Sequence, residues 1–241
     1  MAFVKLFIYM ARKIYITEDQ FRTIIGEMAY PVGFNMKELE SLPSYAARVR
    51  YCSQRLTKLG QGSSRIVFAV DGEKVLKVAK NAKGVAQNKE EGEEWKQTYC
   101  CFARVYDQSE DGVFLEMQAA RRAKKSDFKR LTGYDFETMC QWIEYTKGLY
   151  SRTARMYGRA SKNPLFDSDE WSEYLDDYNV FSGIHAYLCD YQLEAVGDFE
   201  RLSSWGVVSE NGEESLAIID FGLSDEVFSD YYSVGNVRKA W

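Results

Sequence analysis

A lysine and a pair of glycines in the first half of the sequence have the types and spacing to bind an anionic ligand. Gly60 and Gly62 follow the apolar Leu59, and a glycine pair lets backbone N–H groups approach anionic oxygens because no Cβ intervenes. Lys77 lies in the apolar run 75–79, where a buried ammonium group is costly unless an anion lies close to it. These residues predict binding of phosphate-like groups, although the glycines alone would also suit an ordinary hairpin.

A carboxylate in the second half of the sequence could complete such a site. Asp220 ends the apolar run 216–219 and is followed by Phe221 and Gly222. An aspartate in an Asp-Phe-Gly triplet after a strand is where a carboxylate would hold a metal ion against phosphates. The sequence therefore contains a candidate phosphate-binding lysine and a candidate metal-binding aspartate that are far apart along the chain.

Local patterns predict the elements that must position these residues. Apolar runs on either side of the turn Asp71-Gly72 predict a hairpin, and two later runs predict another antiparallel pair. The predicted strands are residues 66–70, 75–79, 101–106 and 112–117. Between the pairs, residues 85–98 predict a helix that carries Glu90, Glu91, Glu93 and Glu94. From the pattern alone, these four glutamates predict a solvated face of the helix.

With its motifs in this order, the sequence resembles the protein-kinase-like fold family over residues 56–228. The resemblance rests on the glycine-rich loop that ends at Arg65, on the strand lysine Lys77 and on Asp220 of the triplet. It implies an α+β, two-lobed protein-kinase-like fold with an antiparallel N-lobe sheet and an abbreviated, mainly helical C-lobe. Residues 75–88 are also similar to uncharacterised kinase-like proteins of bacteria and their tailed phages.

The resemblance implies a nucleotide site that takes ATP. The residues it places against the nucleotide are Gly60, Gly62, Ser63, Lys77, Glu91, Glu116 and Met117. In the family, a helix glutamate pairs with the strand lysine and fixes it against the phosphates. Glu91 is the expected partner of Lys77, with Glu94 as the second choice. Residues 116–119 would form the hinge whose backbone meets the adenine edge.

The resemblance also implies catalytic and metal-binding residues for a site that uses Mg²⁺. Asp198 stands where the family keeps the aspartate that acts as catalytic base, and Asp220 would bind the metal. Ser203 stands five residues after Asp198, in the place of the asparagine that binds a second magnesium ion. A serine offers one neutral oxygen on a shorter arm, so we expect this second ion to be held more weakly.

Two functions remain open from the sequence. A phosphotransferase would move the γ-phosphate of ATP to a hydroxyl of an unidentified protein or small-molecule acceptor. Lys77, Asp198 and Asp220 favour it, because a purely structural protein has little need for charges directed at one site. A catalytically inactive pseudokinase would act as a binding or structural component, and Arg65 in place of the third glycine, Ser203 and the short C-lobe favour that alternative.

The resemblance divides the chain into an N-terminal extension packed on the small lobe (1–55), an N-lobe (56–118) and a C-lobe (119–241). In the extension, local patterns predict a strand at 14–16, a capped helix at 18–27 and a helix at 44–52. The first nine residues either pack as a further strand or precede a natural start at Met10.

Helical patterns dominate the sequence after residue 119. We expect a helix from Tyr134 onward, an irregular connection at 151–169, a short acidic helix at 171–178, a helix with an apolar stripe at 181–191 and a hairpin from residue 207. His185, the only histidine, is expected to pack or hydrogen-bond. The basic run 121–125 is either a solvated surface or a docking edge for an acidic or phosphorylated partner.

Composition narrows the functional class. The chain has 241 residues, of which 46% are hydrophobic and 28% charged, and a chain of this length can bury about 70% of its unfolded surface. A net charge of −5 argues against a nucleic-acid-binding surface over the whole molecule. The apolar start is shorter than the roughly 20 residues that span a bilayer, so no membrane partner is expected. Five cysteines without metal-binding spacing predict a reducing, cytoplasmic setting.

Overall fold

The computed structural model describes residues 4–6, 14–16, 30–150, 162–177, 179–191 and 198–232. These residues form an α+β structure, as the sequence predicts, with a five-stranded antiparallel sheet, a three-stranded sheet and a two-stranded hairpin. The strands are β1 (Val4–Leu6), β2 (Ile14–Ile16), β3 (Thr57–Gln61), β4 (Arg65–Ala69), β5 (Lys74–Ala79), β6 (Val105–Gln108), β7 (Phe114–Gln118), β8 (Arg121–Arg122), β9 (Trp205–Glu210) and β10 (Glu213–Ile218). The described α-helices are α1 (Met36–Ser41), α2 (Tyr45–Arg55), α3 (Ala82–Glu91), α4 (Lys125–Thr132), α5 (Phe136–Tyr150), α6 (Asp169–Asp176), α7 (Val180–Tyr191) and α8 (Asp225–Tyr231).

The five-stranded sheet carries the glycine loop and Lys77. Its strand order is β3-β4-β5-β7-β6, and each neighbouring pair is antiparallel. The predicted turn between β4 and β5 is present, because the Asp71 carboxylate accepts the N–H groups of Glu73 and Lys74, both at 2.7 Å. This turn fixes the register in which Val67 lies opposite Lys77.

The strand predicted at residues 101–106 begins only at Val105. The residues before it contact the end of β10 instead. The Cys101 carbonyl accepts the N–H of Ile218 at 2.7 Å, and the N–H of Ala103 donates to the Ile218 carbonyl at 3.0 Å. The local pattern identified an extended segment correctly but could not identify its pairing partner. This contact brings the residues that follow β10 beside the five-stranded sheet.

Both faces of the sheet are covered by apolar packing. On one face, Phe68 and Leu76 share a buried cluster with Leu39 of α1 and Cys52 of α2. Residues 30–55 of the predicted N-terminal extension therefore pack on the sheet, and the helix predicted at 44–52 is present as α2. The capping box and the helix predicted at 18–27 lie outside the described residues.

The opposite face belongs to a larger cluster shared with the helices α4 to α7. Aromatic rings dominate that cluster, and the rings of Trp142 and Trp171 meet edge to face with centroids 5.1 Å apart. The predicted stripe on α7 is confirmed for Phe181, Ile184 and Leu188, which are all buried. His185 packs against Trp142, and burial lowers the pKa of its imidazole. Within the predicted irregular connection, only residues 162–168 are described before α6 begins.

The three-stranded sheet delivers Asp220 to its position. β9 and β10 form the predicted hairpin, and its turn residues Asn211 and Gly212 have φ angles of 53° and 85°. An Asn-Gly turn favours this left-handed geometry, which matches the twist of the flanking strands. All five cysteines are free thiols. Within the described residues, no helix combines the length and the apolar character needed to cross a membrane.

Candidate functional site

Lys77 lies in the middle of β5 with its side chain directed away from α1 and α2. The side chain is buried, and its ammonium group forms an ion pair with Glu91 at 2.6 Å. The same group donates to the backbone carbonyl of Ile219 at 2.6 Å. The predicted pair between Lys77 and Glu91 is therefore present, and Lys77 also contacts the residue that precedes Asp220.

Helix α3 positions Glu91 through local sequence features. The side chain of Asn81 caps the helix by accepting the N–H of Gly84 at 3.2 Å. Gly84 permits a close approach of the glycine loop, since a Cβ there would lie 2.3 Å from the Ser64 carbonyl oxygen. Glu91 is the last residue of the helix and is fully buried. Its Oε1 also accepts the N–H groups of Phe221 and Gly222 at 3.1 and 3.2 Å.

The other glutamates of this segment do not reach Lys77 in the described structure. Glu90 pairs with the buried ammonium group of Lys96, and Glu93 is exposed. The side chain of Glu94, the second choice for the partner of Lys77, lies outside the described structure. Glu91 alone of the described glutamates thus joins the site.

Arg65 is the site residue that sequence reasoning missed. It is the first residue of β4, and its buried guanidinium contacts Glu91 through both terminal nitrogens, at 2.8 and 3.0 Å. Its Nη2 also contacts Asp220 Oδ1 at 2.6 Å. In the sequence pattern, Arg65 stands only as a replacement for the family's third glycine. A signal was nevertheless present, because an arginine that begins an apolar strand needs carboxylate partners once it is buried.

Asp220 lies at the solvent-facing side of this cluster. Its side chain is 50% exposed, whereas Glu91 is fully buried. Phe221 packs on Phe102 with centroids 4.5 Å apart, which fixes the triplet against the core. Gly222 is required by close approach to α3, because a Cβ there would lie 2.6 Å from the carbonyl oxygen of Gln87.

Asp198, the predicted base, is largely buried in a turn, with 14% of its side chain exposed. Its Oδ1 pairs at 2.9 Å with Arg201, whose side chain is 70% exposed. Burial raises the pKa of the Asp198 carboxyl; the Arg201 charge lowers it, and the Asp220 charge raises it further. The structure thus places Asp198 within electrostatic range of Asp220.

Ser203, the predicted second metal ligand, is exposed in a single 3₁₀ turn (Leu202–Ser204). The neighbouring Ser204 is buried, and its carbonyl accepts the N–H of Ile219 at 2.7 Å. This backbone bond ties the 3₁₀ turn to the segment that carries Asp220. Gly197, which precedes Asp198, lies outside the described residues.

The glycine loop is a short, tied turn. Gly60 lies within β3 at its bulge, and Gly62 and Ser63, which follow the strand, are exposed. The N–H of Gly62 donates to the Arg65 carbonyl at 2.9 Å, so it closes the turn and is not directed at a ligand. The Lys80 ammonium group holds the Gly62 carbonyl at 2.9 Å. The expectation that the glycine amides point at an anion is therefore wrong for Gly62.

The predicted hinge residues Glu116 and Met117 lie inside β7, between β5 and β6. The Glu116 side chain is buried on the sheet face opposite to Lys77, where it pairs with Lys74 at 2.6 Å and accepts a hydrogen bond from Tyr30. Residues 116–118 of the predicted hinge are therefore strand residues, and the connection to β8 consists of Ala119 and Ala120. The apolar pattern predicted a strand end one residue too soon.

Apolar side chains surround Lys77 on its face of the sheet. Val67 lies opposite Lys77 in β4, Leu115 lies opposite it in β7, and Val75 and Met117 are the next pair on the same face. Val75, Leu115 and Met117 are buried, and Val67 is partly buried. Met117 thus joins the Lys77 face through its side chain, although its backbone does not form a hinge.

The charged cluster consists of the cations Arg65 and Lys77 and the anions Glu91 and Asp220, and each group contacts one of opposite charge. Burial opposes ionisation of Glu91, but the charges of Arg65 and Lys77 hold its pKa at about 2. Burial lowers the pKa of Lys77 despite the attraction of Glu91. Burial also acts to lower the pKa of Arg65, but Glu91 and Asp220 raise it above its ordinary value. Two cations and two anions therefore stabilise one another where single buried charges would be costly.

The described residues do not form a magnesium site in this arrangement. No group of three or more His, Cys, Asp or Glu side chains within them has metal-binding geometry. Asp220 Oδ1 is occupied by Arg65, and Asp198 Oδ1 is occupied by Arg201. Magnesium requires near-octahedral oxygen ligation with carboxylate participation, and here the predicted ligand Asp220 and the predicted base Asp198 each already pair with an arginine.

The basic run 121–125 is partly neutralised, since two of its four basic side chains pair with described carboxylates. Arg121 forms a fork with Asp127, at 2.7 and 2.8 Å, and also contacts Glu214. Lys125 pairs with Glu137. These contacts favour the interpretation as a solvated charged surface.

No protein-family model matches the sequence, and no curated protein shows significant similarity to it.

Proposed function

We propose that this chain is a nucleotide-binding, kinase-like protein with a two-lobed fold, in which ATP binds between the five-stranded sheet and the residues that follow β10. The observation that carries the proposal is the ion pair of Lys77 with Glu91 at 2.6 Å, next to Asp220. These residues are far apart along the chain. Buried charges gathered at one place from distant segments are typical of functional sites.

The apolar residues beside Lys77 support a place for the base of the nucleotide. Val67, Val75 and Met117 present their side chains on the same face as the lysine, so an aromatic base could lie against them with its phosphates directed at the charges. Flat apolar walls with a few placed polar groups are the usual lining of small-molecule sites. We propose Lys77 as the phosphate contact, because a lysine has three donors and the described residues accept only two of them.

We further propose phosphoryl transfer to a hydroxyl of an unidentified protein or small-molecule acceptor, with Asp198 as the base. Its carboxylate lies within electrostatic range of Asp220, and burial raises the pKa of Asp198, as a proton acceptor requires. The base would accept the hydroxyl proton and hold the acceptor oxygen in line with the phosphate.

A second candidate is a catalytically inactive pseudokinase that acts as a binding or structural component. The specific observation in its favour is the contact of Arg65 with Asp220 at 2.6 Å, which engages the carboxylate that the family uses for metal. Nucleotide binding is common to both candidates, and turnover separates them.

The test is a melting experiment with ATP, followed by an assay for released or transferred phosphate. A ligand at 100 times its dissociation constant stabilises the native state by about 2.7 kcal/mol, which corresponds to a melting shift of about 5 to 10 °C for a chain of this size. Lys77→Met should lose most of this shift. Lys37→Met, an exposed lysine on α1, is the matched control and should keep it.

A wild-type protein that shows no shift with millimolar ATP or GTP, in magnesium or in EDTA, would refute the proposed function. A clear shift without turnover of any acceptor would select the pseudokinase candidate.

A further inference from the structure

Arg65 occupies the place beside Asp220 where the family resemblance predicts a metal ion. Its guanidinium lies 2.6 Å from Asp220 Oδ1 and is buried, whereas the carboxylate side chain is half exposed. Arginine stays charged at all physiological pH values. The permanent positive charge of Arg65 thus lies on the buried side of Asp220, which is the only described carboxylate next to the pair of Lys77 and Glu91.

Arg65 would act on a bound ligand mainly through its charge, because most of its N–H donors are already directed at protein oxygens. Of its five N–H donors, three hydrogen-bond to protein oxygens, one each to Glu91, Asp220 and, at 3.4 Å, Asn88, and Nη1 also forms an ion pair with Glu91 at 2.8 Å. A phosphate clamp would keep its donors directed at the ligand. Arg65 instead neutralises Asp220 in advance, which is the electrostatic effect that a divalent cation would have at the same carboxylate.

The second candidate carboxylate follows the same pattern. Asp198 Oδ1 pairs with Arg201 at 2.9 Å. This pair is more exposed than the pair of Arg65 and Asp220, so it is more weakly held. The predicted metal ligand Asp220 and the predicted base Asp198 therefore each pair with an arginine of this chain.

We propose that Arg65 is a built-in cation that replaces divalent metal at this site, so that the chain binds ATP without magnesium. The proposal rests on the proposed function, because it concerns how the same site accepts the phosphates. A polyanion such as ATP would approach an Asp220 carboxylate whose charge Arg65 already neutralises. It would also approach the Lys77 ammonium group, in which one N–H donor is not used by the described residues. Magnesium is therefore not needed to screen the carboxylate from the phosphates.

The experiment measures ATP binding to the full chain by melting shift and by titration calorimetry, once with excess EDTA and once with magnesium in excess of ATP. We expect the dissociation constants in the two buffers to agree within about threefold. Binding only in magnesium would overturn the proposal and leave the proposed function standing. No binding in either buffer would overturn the proposed function itself, and the proposal with it.

Variants separate the role of Arg65 from general stability. Arg65→Gln removes the charge and should weaken binding in EDTA by tenfold or more, while binding in magnesium is affected less because the ion can now reach Asp220. Arg104→Gln, an exposed arginine of the same sheet region, is the control and should change neither value. Equal binding in EDTA by Arg65→Gln and wild type would overturn the proposal.

Asp220→Asn provides a test that does not depend on the folding of the arginine variant. If Arg65 is the built-in cation, removing its partner leaves its charge available and should tighten binding in EDTA. If Asp220 is instead a metal ligand, the same variant should weaken binding in magnesium and leave binding in EDTA unchanged, which would overturn the proposal.

Discussion

The buried carboxylate of Glu91 supports the whole charged cluster, so its removal is the most informative perturbation. Glu91→Gln keeps the size of the side chain and removes its charge. Arg65 and Lys77 would then remain buried with one fewer anion between them. The N–H groups of Phe221 and Gly222 would share an uncharged acceptor in place of a carboxylate.

The pKa of Glu91 gives the size of the expected effect. It is about 2 against an ordinary value of 4.5, and at about 1.4 kcal/mol per pH unit this difference corresponds to about 3 kcal/mol in favour of the charged form. Breaking a buried ion pair by removing one partner costs about 3–5 kcal/mol, which agrees. For a chain of this length, that loss lowers the melting temperature by about 6–15 °C.

Urea denaturation and melting curves of wild type and Glu91→Gln at pH 7 measure this loss directly. Glu93→Gln serves as the control, because Glu93 is exposed two residues after the end of the same helix. The pH dependence gives a second test. The folded-state pKa of Glu91 is lowered, so its contribution is complete above about pH 4.5 and is lost as the pH falls towards 2. The difference between wild type and Glu91→Gln should therefore shrink in that window. A loss below about 1 kcal/mol at pH 7 would show that the cluster does not exist as described.

Two further predictions concern the base and the packing of the triplet. Asp198→Asn should lower any phosphoryl transfer by about 10²–10⁴-fold while ATP binding is nearly retained, and undiminished transfer in the variant would exclude this base. Because burial raises the pKa of Asp198, wild-type transfer should fall on acidification at a higher pH than it would with an ordinary aspartate. Gly222→Ala should lower the free energy of unfolding in urea by about 1–3 kcal/mol, because its Cβ would lie 2.6 Å from the Gln87 carbonyl oxygen. The control Gly72→Ala should be nearly neutral, because a Cβ there has no atom within 4 Å, and equal stabilities of the two variants would contradict the close approach of α3.

Local patterns were sufficient for the elements that carry the site. The two apolar runs and the turn between them at Asp71-Gly72 predicted β4 and β5, and both are present. That Lys77 needs an anion also followed from the residues, whereas the choice of Glu91 among four glutamates followed from the resemblance to the kinase-like family. The strand and turn predictions depend on short-range rules of strand and turn formation.

Strand ends and pairing partners were less accessible. The hinge was predicted at residues 116–119, but β7 extends to Gln118, and both backbone edges of Glu116 pair with neighbouring strands. Residues 101–103 have an extended pattern, yet they contact β10 and not the sheet strand that the pattern suggested. Propensity describes a segment in isolation, whereas tertiary packing decides which partner satisfies its backbone groups.

By itself, the sequence determined the α+β class, the order of the strands along the chain and the residue types available for a charged site. Only the tertiary structure decided the role of Arg65. Its contact with Asp220 joins residues 155 positions apart, and no local pattern encodes such a contact. The physical reason is burial: once packing removes Arg65 from water, its charge must find carboxylates, and the fold brings Glu91 and Asp220 within reach.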